Sequence, residues 1–260
     1  MTRVLIVLIL LTVSWNSFAQ VRVSKLIIET GDTFNLANSD ILVADTLIMK
    51  DSSTLVLNKL KRENYIRAQV VIFGNHATID GRGITGQKGR DGSPGTTPFG
   101  PCSNGSAGRN GGRGLDGTPG TNLFLYVEDI VLRGKLIIDL SGGNGGRGGD
   151  GGSGGGGSPG TVHCNGGDGG NGGNAGQGGN GADGGTLTLS SKKNPDIVSL
   201  IGLGINVYTH GGLPGEQGKV GSRGPAGLGP SRKNGKNGEP GLEAPNSLAG
   251  INGKVNFEKN

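Results

Sequence analysis

Acid–base or metal chemistry in this chain would have to come from a few residues. Asp80, in "TIDGRG", and Asp139, in "IIDLSGG", stand among apolar and glycine neighbours with no second acid close in the chain. Hydrolysis by general acid and base needs two carboxylates held together, and metal-assisted chemistry needs several acidic ligands. Both aspartates are therefore read as solitary acceptors for turn backbone. His76, His163 and His210 are widely spaced and have no dense set of carboxylate or cysteine partners, so none is expected to ligate zinc. Cys102 and Cys164 are the two cysteines. No catalytic residue, metal or cofactor is expected.

Three more aspartates lie in glycine runs. "GGRGGDGG" around Asp150 and "GGNGADGG" around Asp183 approach the Gly-Gly-x-Gly-x-Asp part of calcium-binding β-roll repeats. Both lack the large apolar residue that follows in that repeat, and the surrounding period is three rather than nine. Asp150, Asp168 and Asp183 are accordingly read as solvated edges of glycine rods. The "NGS" sequon at Asn104 carries no weight by itself.

The elements that must position these residues have two textures. After an export leader, "MTRVLIVLILLTVSWNSFAQ", with a cut expected before Gln20, come short Val/Ile/Leu/Thr runs separated by turn residues. These are "VRVSKLIIE", "DILVADTLIMKDSSTLVLNKL", "NYIRAQVVIFGNHATID", "NLFLYVEDIVLRGKLIIDL", "TLTLSS", "DIVSLIGLGINVY" and "KVNFEK". The leader's apolar run is too short to span a bilayer comfortably. Between the β runs lie blocks phased on glycine. Glycine is 57 of 260 residues, against an ordinary share of about 7%, so it must be doing structural work. The chain leaves its β runs near Gly83, Gly142 and Gly211 and returns near Thr121, Thr186 and Gly253, which predicts one unit used three times.

A period of three is that of a polyproline-II-type helix, which has no internal hydrogen bonds and about 3.1 Å rise per residue. Glycine at every third position bares one edge, where another backbone can approach and pair its N–H and C=O groups. The contact glycines are Gly83, Gly86, Gly89 and Gly92 in the first block and Gly145, Gly148, Gly151, Gly169, Gly172 and Gly178 in the middle. In the third block they are Gly215, Gly218, Gly221 and Gly224. The outer blocks have mostly one glycine per triplet, whereas the middle block reads Gly-Gly-x. A rod bare on two edges belongs at the centre of a three-layer stack. Cys102 and Cys164 lie at the reversals of the first and second blocks. If the blocks project in parallel, a disulfide could join their tips in an oxidising compartment, two free thiols being the alternative.

These Gly-x-y and Gly-Gly-x runs, with cysteines at turns, resemble polyglycine-II bundle proteins: the glycine-rich springtail antifreeze protein and the glycine-sandwich tip adhesins of phage tail fibres. The resemblance covers about half of the mature chain and implies antiparallel, hexagonally packed rods. Collagen-like proteins share the Gly-x-y pattern, but they need long uninterrupted triplets in three chains. A disordered Gly/Ser linker would not hold a phase of three between fixed exit points. "NHATIDGRG" resembles a turn of right-handed β-helix pectin-degrading enzymes, but without their clustered acids.

The expected fold is all-β: a short β-solenoid with three inserted glycine-rich hairpins forming a six-helix polyproline-II/polyglycine-II bundle. The expected order is a signal peptide over 1–19, strands over 20–82, a Gly-x-y hairpin over 83–120 and strands over 121–141. A central Gly-Gly-x hairpin then occupies 142–185, strands 186–210, a third hairpin 211–250 and a last strand 251–260. The formal charge of +5 is mild and its basic residues are scattered, which does not favour nucleic acid. The expected function is that of a secreted, non-enzymatic structural or adhesive protein, an adhesin or filament subunit at the cell surface or in a matrix. Its partners would be further copies met through the solenoid ends, or a surface glycan or protein. No transmembrane segment would remain after cleavage. An ice-binding protein is the first alternative, although Gln87, Lys88, Arg90, Asp91, Arg109, Arg113, Glu216, Gln217, Lys219 and Arg223 on the free edges do not suit a flat Thr/Ala face. A carbohydrate-active β-helix is the second.

Overall fold

The computed structural model describes residues 20–194 and 196–258, and the expected leader, 1–19, lies outside them. Eleven strands are present: β1 (Gln20–Ile28), β2 (Thr33–Asn35), β3 (Ile41–Met49), β4 (Thr54–Val56), β5 (Glu63–Phe73) and β6 (Ala77–Asp80), followed by β7 (Asn122–Leu132), β8 (Leu136–Asp139), β9 (Leu187–Ser191), β10 (Ile205–Tyr208) and β11 (Val255–Phe257). The chain alternates between two sheets. Odd strands form one in the order β1-β3-β5-β7-β9-β11, and even strands form the other in the order β2-β4-β6-β8-β10. Every strand pairing is parallel. Two short 3-10 turns are the only helical elements among the described residues, so the fold is all-β.

Register shows how regular the alternation is. One column of partners in the first sheet runs Gln20, Ile41, Tyr65, Phe124, Thr188 and Asn256. Gln20 to Ile41 is 21 residues and Ile41 to Tyr65 is 24; Tyr65 to Phe124 is 59, of which the block 83–120 supplies 38. The first glycine block is thus an insertion into a turn otherwise of ordinary length.

Alternation of side chains builds the core. In β3 the buried residues are Leu42 and Ala44, then Leu47 and Met49, because Asp45 and Thr46 both turn outward and bend the strand. The same break recurs at Gln69–Val70 and at Glu128–Asp129. Parallel register stacks like on like: Leu42, Ile66, Leu125 and Leu189 form one buried column, and Leu55, Ile79 and Ile138 another. Burying each such side chain stabilises by about 1.5–3 kcal/mol before chain entropy is counted.

The expected strand "DIVSLIGLGINVY" is corrected. Ile197–Leu200 is a 3-10 turn, and only Ile205–Tyr208 is a strand. The Asp196 carbonyl accepts from both the N–H and the Oγ of Ser199, which closes the turn, while Gly202 takes a left-handed φ of 83°. Ile197 is buried, so the detour still contributes to the core.

Candidate functional site

The glycine blocks leave from the ends of the even strands and re-enter at the starts of odd ones, all at the same corner. Within them every contact glycine except Gly178 donates its N–H to a carbonyl of another arm. Gly83, Gly86, Gly89 and Gly92 donate to Ser141, Asn144, Arg147 and Asp150 at 2.7–2.8 Å. Gly145, Gly148 and Gly151 donate to Leu213, Glu216 and Lys219, and Gly169 and Gly172 to Lys236 and Glu239, at 2.8–2.9 Å. Gly215, Gly218, Gly221 and Gly224 donate back to Gly179, Gly176, Gly173 and Gly170. Gly178 lies in the same rows, its Cα against the Gly215 carbonyl.

In the outgoing arm of the middle block the second glycine of the triplet donates the other way. Gly143, Gly146, Gly149 and Gly152 bond the carbonyls of Thr118, Leu115, Gly112 and Arg109 in the first block. The middle block therefore donates to both neighbours. At these positions a Cβ would collide with a backbone carbonyl that cannot swing aside, for instance that of Gly176 facing Gly148 or of Gly221 facing Gly172. Close Cα–H to carbonyl approaches of this kind add weak attraction of their own.

The third residue of the middle triplets has a role that the solvated-edge reading of Asp150, Asp168 and Asp183 missed. Asp168 Oδ1 accepts the N–H of Lys236 at 2.6 Å, and Asp150 and Asp183 accept those of Lys219 and Ile251 at 2.8 Å. Asn171, Asn174 and Asn180 do the same for Glu239, Leu242 and Leu248. Asn104, Asn110 and Asp116 of the first block accept in turn from Asp168, Asn174 and Asn180. These N–H groups sit on rod edges with no carbonyl opposite, so a short side-chain oxygen at the right phase replaces it. The signal was present as Asn and Asp recurring at one phase of the triplet. The Lys219 N–H, with Arg147 adding to it, holds the Asp150 carboxyl below the ordinary carboxylate range, and Lys88 does the same for Asp91.

At the tips, Cys102 and Cys164, separated by 62 positions in sequence, form a disulfide with Cα atoms 6.0 Å apart. The turn that delivers Cys102 has left-handed φ at Gly100 and at Cys102 itself, and the Cys102 N–H donates to Pro159 of the second tip at 2.8 Å.

The aspartates at the exit corner are not solitary. Asp80 and Asp139 are direct ladder partners on β6 and β8. Arg82 Nε lies 3.0 Å from Asp80 and 3.7 Å from Asp139, and Lys59 Nζ lies 3.1 Å from Asp80. Sequence reading missed this because a 38-residue block separates the two segments, although both end in the same Ile-Asp exit. Each aspartate also accepts the N–H two residues on, from Arg82 and Ser141, as a turn acceptor should. Burial alone would raise the Asp80 pKa; the Arg82 side chain and N–H, with Lys59, outweigh it and hold the carboxyl below its ordinary value.

His76 is in a turn with φ of 57°, His163 is exposed at the second tip, and His210 lies beside the Tyr208 ring. Among the described residues no three His, Cys, Asp or Glu side chains converge as a metal site. The outer face of the odd-strand sheet has an open groove of about 620 Å³ reaching from Arg22 on β1, past Arg67 and Tyr126, to Glu258 beyond β11. Tyr65 stacks on Phe124 at 4.7 Å beside it, and its hydroxyl donates to Glu63, an acceptor that with burial raises the tyrosine pKa to about 12. Among the described residues no helix is long and apolar enough to cross a membrane.

No family model and no curated protein matches this chain. A solved structure of the nine polyproline type II helical bundle springtail antifreeze protein from Granisotoma rainieri is similar at 25% identity, over 64% of this chain and 96% of that one, with a TM-score of 0.12. So poor a superposition demonstrates neither a shared fold nor a shared activity.

Proposed function

We propose that this chain is an exported, non-enzymatic structural or adhesive protein: a β-solenoid carrying six glycine-rich polyproline-II-type rods in three layers. The observation that carries the reading is the two-sided donation by the middle block, because it makes an interior from backbone alone. Such an interior leaves no room for a substrate and sends the charged side chains outward. Arg90, Arg109 and Arg113 are exposed on the first layer, and Glu216, Lys219 and Arg223 line the free edges of the third. The alternation of consecutive strands between two all-parallel, in-register sheets supports the solenoid, and the Cys102–Cys164 bond suits an oxidising, extracellular compartment.

Adhesion is tested by coating beads with the chain purified from culture medium and challenging them with glycan and matrix-protein arrays. Selective retention, weakened by Arg90→Ser with Arg109→Ser, is the expected result. A chain that neither adheres nor self-associates, and instead arrests ice recrystallisation or shortens a polysaccharide, overturns the reading.

A further inference from the structure

We propose that copies of this chain stack head to tail, β1 of one copy continuing the first sheet beyond β11 of the next. The proposal deepens the structural reading above and rests on it. Each sheet ends in strands bonded on one side. Among the described residues β1 pairs only with β3 and β11 only with β9, while β2 pairs only with β4. Beyond β10 only a single bridge, Ile201 to Ile205, touches the far edge. Soluble proteins usually blunt such edges with proline, shortness or inward charge. β1 is nine residues long, alternates polar and apolar over Gln20–Ser24, and contains no proline.

Register fixes what would meet. The column that begins at Gln20 ends at Asn256, so a following copy placed one strand further sets its Gln20 on Asn256 and its Val21 on Phe257. Arg22 then falls on Glu258, the residue after the last strand. Opposite charges directly across a ladder are favourable, and here they lie at the two ends of one column that runs through Val43, Arg67, Tyr126 and Ser190. The second sheet has five strands against six in the first, so β2 of the following copy falls two levels beyond β10 and Phe34 does not meet Val207 directly. Val21 points into the core but is only partly buried, and Phe257 remains 37% exposed. Stacking would cover both.

The glycine layers permit it. The blocks leave from β6, β8 and β10, whereas the first two turns of the chain carry none, so the next copy meets the last layer with two unoccupied levels between bundles. The groove lined by Arg22 at one end and Glu258 at the other would become continuous. A heterologous contact with no closing rotation gives an open filament. Six strands of the first sheet at about 4.8 Å each set an axial repeat of about 29 Å.

The test is sedimentation and negative-stain microscopy of the full chain exported into medium, with processing checked by intact mass. The expected result is filaments bearing a side projection every ~29 Å. Arg22→Glu and Glu258→Arg, each shown folded by circular dichroism, should raise the concentration needed for assembly at least about tenfold, a cost of about 1.4 kcal/mol per contact. Mixing the two variants should restore assembly, since each then offers the charge the other lacks. Wild-type chain that stays monomeric at high concentration, variants that assemble like wild type, or paired head-to-head particles overturn the stacking. A monomer that still adheres in the bead assay overturns the stacking alone and leaves the adhesive reading standing.

Discussion

Replacing Gly148 with valine tests the backbone-only interior directly. Gly148 donates to Glu216 at 2.8 Å, and its Cα faces the carbonyl of Gly176, whose own N–H is bonded to Gly149. A Cβ at Gly148 forces these rods apart. Overpacking costs about 1–3 kcal/mol, and a buried carbonyl left without its donor about 1–3 kcal/mol more. A total of about 2–6 kcal/mol, at roughly 2–4 °C per kcal/mol for a chain of this size, lowers Tm by about 4–24 °C. Gly172→Val, against the Gly221 carbonyl and the bond to Glu239, should behave alike. Gln87→Val on an exposed edge should stay within about 0.5 kcal/mol. Scanning calorimetry of the three variants decides: equal shifts at Gly148, Gly172 and Gln87 refute the packing argument.

Breaking the tip bond by Cys102→Ser with Cys164→Ser should cost about 4 kcal/mol in the chain-entropy account of a loop of 62 residues, and reduction of the native chain should reproduce the loss of Tm. An unchanged Tm on reduction would mean that the rods alone hold the tips together. Asn174→Asp should be nearly neutral, since Asp168 and Asp183 fill equivalent places, whereas Asn174→Leu removes the acceptor for the Leu242 N–H and should cost about 1 kcal/mol, read from urea midpoints. Asp80 is harder to protonate folded than unfolded, so its contribution is present above the unfolded carboxylate pKa of about 3.9 and is lost as pH falls through the lower folded value. Thermal midpoints should accordingly hold from pH 7 to 5 and fall below about pH 4, and Asp80→Asn should flatten part of that fall.

The sequence by itself determined the local geometry. Val, Ile and Leu alternation decides which residues become strands, and glycine at every third position decides where another backbone may approach, because both depend only on short-range sterics. The middle position of the Gly-Gly-x block was legible for the same reason, since two bare edges require two neighbours. Tertiary structure alone decided what meets across the inserted blocks. Asp80 and Asp139 are 59 residues apart in sequence yet adjacent in the ladder, and Asp168 bonds Lys236 from 68 residues away. No local pattern encodes such distances; they follow from a repeat length that the insertions hide. The Ile197–Leu200 turn was illegible because its apolar run suits a strand, and the side-chain and carbonyl bonds of Asn194, Asp196 and Ser199 decide otherwise. Arg22 and Glu258, near the two ends of the described residues, come to share one column only once every intervening strand is in register.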